Sequence, residues 1–158
     1  MRDIKYLSCA FGRIKGKCQY YIHADSIGKM KAKIRELTGR NNGWGYEYRK
    51  QRLRCYLRGW LNYFKLAGLK HRIEEWDAWL RRRIRMCIWK SLKWVKPRFR
   101  NLKRLVVDEQ RVRIAAFCRK QYCRMSIHPT VHAALSNDRL LRAGYPTFRM
   151  YYYPLLKG

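Results

Sequence analysis

Residues 47–104 read EYRKQRLRCYLRGWLNYFKLAGLKHRIEEWDAWLRRRIRMCIWKSLKWVKPRFRNLKR. Leu53, Tyr56, Leu57, Trp60, Leu61 and Phe64 recur at three- and four-residue spacing, the apolar stripe of an amphipathic helix over about 46–67. Ile73, Trp76, Leu80, Ile84, Cys87, Ile88 and Val95 repeat the pattern over about 69–95, within an arc of roughly 120° at 100° per residue. Gly68 marks the turn between the two helices and Pro97 closes the second. Gly59, inside the first, costs ~1 kcal/mol against alanine, so the pattern predicts a close helix contact there. The opposite side of the second helix carries Arg82, Arg85, Lys93 and Lys96, with Trp89 among them and Trp79 and Met86 near the edge. Such a tryptophan either stacks on a base or covers a neighbouring segment, and helical geometry leaves both readings open.

The charge balance names the kind of partner. There are 38 Lys and Arg against 10 Asp and Glu in 158 residues, a net charge of +28. A chain this basic repels itself and associates with polyanions. A membrane surface ranks below nucleic acid, because the cations are spread over helices with Trp and Tyr instead of forming a short juxtamembrane cluster. With 47% hydrophobic residues the chain can bury a core. The N-terminus MRDIKYLSCAFGR has no apolar signal-peptide region, and no apolar run reaches membrane-spanning length. The expected location is the cytoplasm, with Cys9, Cys18, Cys55, Cys87, Cys118 and Cys123 reduced and several of them serving as small core residues.

Outward from the central stretch the elements are shorter. Tyr6 to Phe11 and Lys17 to Ile22 read as a β-hairpin with Gly16 at a tight position. A helix follows, N-capped by Asp25 or Ser26, with Ile27, Met30, Ile34 and Leu37 on one side and Gly39 at its end. Asn41 to Gly45 is a loop. After a basic connector, Pro97 to Lys103, Asp108 is expected to cap a helix over Glu109 to Phe117 with Val112, Ala115 and Ala116 inward. Arg119 to Met125 reads as a basic, aromatic loop or short strand. Pro129 to Leu135 and Asn137 to Ala143 read as short helices, the latter closed by Gly144. The tail YPTFRMYYYPLLKG, with two prolines, is expected to pack in extended form.

Several motifs carry a resemblance. Arg58-Gly59-Trp60-Leu61-Asn62-Tyr63-Phe64, Trp76-Asp77-Ala78-Trp79-Leu80-Arg81-Arg82-Arg83-Ile84-Arg85-Met86 and Ile88-Trp89-Lys90 resemble the maturase-specific thumb, domain X, of group II intron-encoded reverse transcriptases. Ile34-Arg35-Glu36-Leu37-Thr38 and Ala133-Ala134-Leu135-Ser136-Asn137 are similar as well, and the N-terminal hairpin resembles the last palm segment. The resemblance implies a mainly α fold: a β-hairpin palm remnant over 1–24, a three-helix thumb bundle over 25–104 and a small helical C-terminal segment over 105–158. It implies binding to structured group II intron RNA in aid of splicing, and it carries RNA contact onto Arg58, Trp60, Tyr63, Arg81, Arg82, Arg83, Arg85 and Lys90. Trp60 lies on the apolar stripe, which favours a core role. The basic helices and connector add Lys29, Lys33, Arg49, Trp89, Lys93, Lys96, Arg98 and Arg100. Arg81, Arg82 and Arg83 point three ways round their helix, so at most one or two meet the same phosphate track. The choice of surface fails if the Arg82–Arg85–Lys93 side turns inward against protein.

The departures set the enzymatic reading. The family's palm carries paired metal-binding aspartates, whereas the nearest segment here, His23-Ala24-Asp25-Ser26, has one carboxylate. No cofactor is assigned, Mg²⁺ being expected only in a full-length polymerase, and the chain is read as a truncated or split maturase portion. The alternatives are a polymerase thumb with palm and fingers supplied elsewhere, or a general binder of DNA or RNA–DNA hybrid. Gln121, Tyr122 and Cys123 stand where family members tend to have Gly and Trp. Glu74, Glu75 and Asp77 are read as complementing the dipole of their own helix. Cys118, Cys123, His128 and His132 form C-x4-C-x4-H-x3-H, whose ligand types suit zinc but whose spacing fits no standard finger, so no metal is assigned.

Overall fold

Leu53, Leu57 and Leu61, four residues apart, are each 0% exposed in the computed structural model of the chain. Burying each contributes about 1.5–3 kcal/mol. The structure describes residues 4–6, 9–14, 17–39, 41–105 and 108–156, with side chains from residue 20 onward. The fold is mainly α, as the 3.6-residue periodicity predicts. Nine helices stand among the described residues: α1 (Ala24–Leu37), α2 (Tyr46–Tyr63), α3 (Lys70–Ser91), α4 (Val95–Lys103), α5 (Glu109–Phe117), α6 (Tyr122–Met125), α7 (Pro129–Ala134), α8 (Asn137–Arg142) and α9 (Phe148–Leu155). They follow three strands, β1 (Ile4–Tyr6), β2 (Cys9–Ile14) and β3 (Lys17–Ile22).

The expected hairpin is therefore a three-stranded antiparallel sheet in the order β1-β2-β3, with Ile4 opposite Phe11 and Cys9 opposite Ile22. The first expected strand straddled the gap between β1 and β2, because an apolar run alone does not show where a strand reverses. Gly16 lies outside the described residues.

Two compact units divide the chain. One takes in the described residues of 1–37, 45–77 and 146–158, the other those of 38–44 and 78–145. In the first unit α1 packs on α2 and α2 on α9. Ile27, Met30, Ile34 and Leu37 of α1 are buried, and Trp76 of α3 meets Trp60 and Phe148 ring to ring at 5.5 and 5.6 Å. The tail is thus helical. Thr147 Oγ1 accepts the Met150 N–H, Asp77 accepts the Phe148 and Arg149 N–H groups, and Pro154 falls in the last turn, one residue before the helix ends. Asp77, buried, so serves α9 and not the start of its own helix.

In the second unit Trp89, Leu102, Val112, Ala115, Met125, Val131 and Ala134 form one buried cluster. Asp108 caps α5 by accepting the Arg111 N–H at 3.1 Å, and Ser136 caps α8. Gly144, at φ 83°, closes α8, its N–H reaching Leu141 O. Three element bounds differ from expectation. α1 begins at Ala24, so Asp25 and Ser26 lie in the first turn, and His23 Nδ1 accepts the Asp25 N–H. α6 is a single helical turn within the expected loop or strand. Finally, α3 stops at Ser91, and the basic connector is itself helix α4 with Pro97 in its first turn. A proline at 97 would clash with the carbonyl four residues earlier had α3 continued, but it sits without penalty at the start of a new helix.

Candidate nucleic-acid interface

The structure sorts the cations into those spent on the fold and those left to solvent. Arg85 was expected outside and is 4% exposed. Its Nε donates to Leu135 O and its Nη2 to Asn137 Oδ1, both at 2.8 Å. The guanidinium thereby satisfies the carbonyl at the C-cap of α7 and orients the start of α8, a structural use that matches its fork of donors. Burial first, and the charge of Arg81 second, lower its pKa from the ordinary value. Trp89 is buried at the centre of the second unit, with the Arg98 guanidinium 5.1 Å over its ring. Of the two open readings for Trp89, covering a neighbouring segment is the one observed. The Arg82–Arg85–Lys93 side of α3 is therefore not one free cationic surface: Arg85 is turned into protein, while Lys93 stays exposed.

Other expected contacts are also engaged internally. Arg83 donates from Nε to Thr38 Oγ1 at 3.0 Å and from Nη2 to Thr38 O at 3.3 Å. Cys87 Sγ donates to the same carbonyl. Lys90 Nζ donates to Asn41 Oδ1, Lys33 pairs with Glu36 at 2.8 Å, and Arg98 Nε donates to Leu92 O. Arg49 is buried on α2. Arg82 is exposed, with Nη2 3.2 Å from Cys123 Sγ. Arg81 is half-buried, and Trp60 is half-buried within its aromatic cluster. Arg82 and Arg83 thus diverge, as their spacing on a helix requires.

What faces solvent falls into two sets, one in each unit. On the first unit, Lys29, Arg58 and Tyr63 are exposed, and α2 adds Tyr48 with the Arg52 guanidinium 5.8 Å over its ring. On the second unit, Lys93, Trp94, Lys96 and Arg100 are exposed, Trp94 at 74%. Trp94 was not singled out from the sequence. The signal was Pro97: if α3 must end before it, residues 92–94 become the break between two helices, and Trp94, as N-cap of α4, leaves the helical surface. Arg52 and Tyr48 carried only the weak signal of a four-residue spacing on the polar side of α2.

The four residues weighed for zinc all lie in the second unit. Among the described residues no three His, Cys, Asp or Glu side chains come close enough to hold a metal ion, so Cys118, Cys123, His128 and His132 do not converge. Cys118 packs against the buried cluster, and Cys123 takes a hydrogen bond from Arg82. Burial, then Arg85, then Arg81 lower the pKa of His132, and the same two guanidinium groups would repel a metal ion. No described helix is long and apolar enough to cross a membrane.

No curated protein matches the sequence. The family model described as "Group II intron, maturase-specific domain" matches residues 27–106, from the first turn of α1 past the end of α4 and just over half of the 158 residues. The two tryptophan-and-arginine motifs on α2 and α3 fall inside that match, and the chain belongs to the group II intron maturase-specific domain family.

Proposed function

We propose that this maturase module binds structured group II intron RNA and assists its splicing by holding the RNA in its compact form. The observation that carries the reading is Trp94, 74% exposed between exposed Lys93 and Lys96 at the N-terminus of α4. A large apolar ring left in water gains nothing for the fold, whereas beside cations it makes a platform for an unstacked base with phosphates at hand. The net charge of +28 supports the same reading, since each phosphate neutralised releases counterions. The mechanism is binding and positioning. Lysine and arginine neutralise backbone phosphates, exposed rings take looped-out bases, and an RNA conformation that presents both together is favoured over open ones.

The test is RNA affinity of the full chain against salt, with duplex DNA as competitor. About eight phosphate contacts give a log–log slope near −6 to −7. Trp94→Ala is expected to weaken binding to structured RNA by about 5- to 150-fold, the value of one stacked base, at unchanged helicity. Equal affinity for RNA and duplex DNA, or full affinity of Trp94→Ala, would overturn the reading.

A further inference from the structure

Within the second unit a half-open basin of about 680 Å³ lies among α3, the start of α4's second turn and the α5–α6 connection. Its lining includes Arg83, Met86, Arg98, Arg119, Lys120, Tyr122 and Cys123. Four of these side chains are cations, and no carboxylate stands among the described residues that line the basin. The volume lies within the range of about 300–1,000 Å³ typical of small-ligand pockets. Two of the cations are fixed in place. Arg83 is tied to Thr38 by two hydrogen bonds, and Arg98 is tied to Leu92 O and stacked on Trp89. Arg119 and Lys120 are exposed, and neither side chain makes a hydrogen bond or ion pair with the described residues. Fixed cations set a positive field, mobile ones can close on an anion, and Tyr122 and Met86 offer flat or polarizable contact to a ring.

We propose that this basin takes a single extruded nucleotide of an RNA strand, its phosphate against Arg119 and Lys120 and its base against Tyr122. The inference rests on the RNA-binding reading above and deepens it. A phosphate carrying a base could also come from a free mononucleotide, but α4 favours the strand. Arg98 follows Trp94 by four residues, about 6 Å along a helix, so a strand held at Trp94 passes the basin mouth. The site binds; nothing in it performs chemistry.

Cysteine footprinting of the full chain tests this, because Cys118 and Cys123 line the basin while Cys55 is exposed on α2 of the other unit. Iodoacetamide labelling, read residue by residue by mass spectrometry, is run with structured RNA, with AMP alone and with neither. RNA is expected to protect Cys123 and Cys118, AMP at millimolar concentration to leave them reactive, and Arg119→Ala/Lys120→Ala to abolish the protection and reduce the salt slope by about 1. RNA that binds with full affinity while Cys123 stays reactive overturns the basin and leaves the Trp94 reading intact. Protection by AMP alone assigns the basin to a free nucleotide and overturns the strand. Absence of RNA binding removes both readings, and the affinity measurement made in parallel shows which has failed.

Discussion

Asp77 shows how far a single residue's role can lie from its sequence neighbours. Its carboxylate is 2% exposed, with Oδ1 2.6 Å from the Phe148 nitrogen and Oδ2 3.1 Å from the Arg149 nitrogen. Two orphan donors at the start of α9 are thus met by a negative charge, where the helix dipole also favours one. Asp77→Ala leaves the buried Phe148 N–H and the partly buried Arg149 N–H without their acceptor, a cost of about 2–3 kcal/mol. For a chain of this size that is a fall in Tm of about 4–12 °C in thermal unfolding followed by circular dichroism. Asp77→Asn keeps one acceptor and should lose less, and an unchanged Tm for Asp77→Ala would mean that α9 is held by its apolar face alone. The sequence showed Asp77 only beside Glu74 and Glu75, hence the expectation that it served α3. Its partners lie 71 and 72 residues away, beyond any periodicity. Arg85 and Trp89 are of the same kind: helical spacing placed them opposite the apolar arc, and α7, α8 and the cluster around Trp89 arrive from later in the chain to cover them.

Elements written by their own spacing were legible, and those decided by a boundary or a distant partner were not. The stripes of α1, α2 and α3 and the caps at Asp108 and Gly144 depend on residues within a turn of each other. Pro97 was read as a stop when it is also a start, and Trp94 was missed with it. The two prolines of the tail suggested extended chain, yet only Pro154 falls in α9, at its end. Gly59 is a further case. A helical glycine suggested close packing, but it is exposed and a Cβ built there meets nothing within 4 Å. The helix therefore bears the entropic cost of glycine without a contact in return. Gly59→Ala is expected to stabilise the chain by about 0.5–1 kcal/mol and raise Tm by about 1–4 °C. A fall in Tm on that substitution would restore the close-contact reading.

At the scale of the whole molecule the charge excess acts on fold and function with opposite signs. The acids that could offset it number ten, and five of them are already committed: Glu36 to Lys33, Glu47 to Lys50, Asp108 to Arg111, Glu109 to Lys103 and Asp77 to backbone. These surface pairs contribute about 0–1 kcal/mol each and cannot cancel the repulsion among 38 cations. Screening that repulsion stabilises the folded chain, since compaction brings like charges together and salt shortens their reach to about 10 Å at 0.1 M. The same salt weakens the complex with RNA, because counterion release is then less favourable. Raising NaCl from about 0.05 to 0.3 M should therefore raise the Tm of the free chain while lowering its RNA affinity by several powers of ten. The two slopes are measured on one preparation, by thermal unfolding and by filter binding. A Tm that is flat or falls with salt would mean that the cations are already balanced within the fold, and the polyanion would lose its claim as the partner that this charge was waiting for.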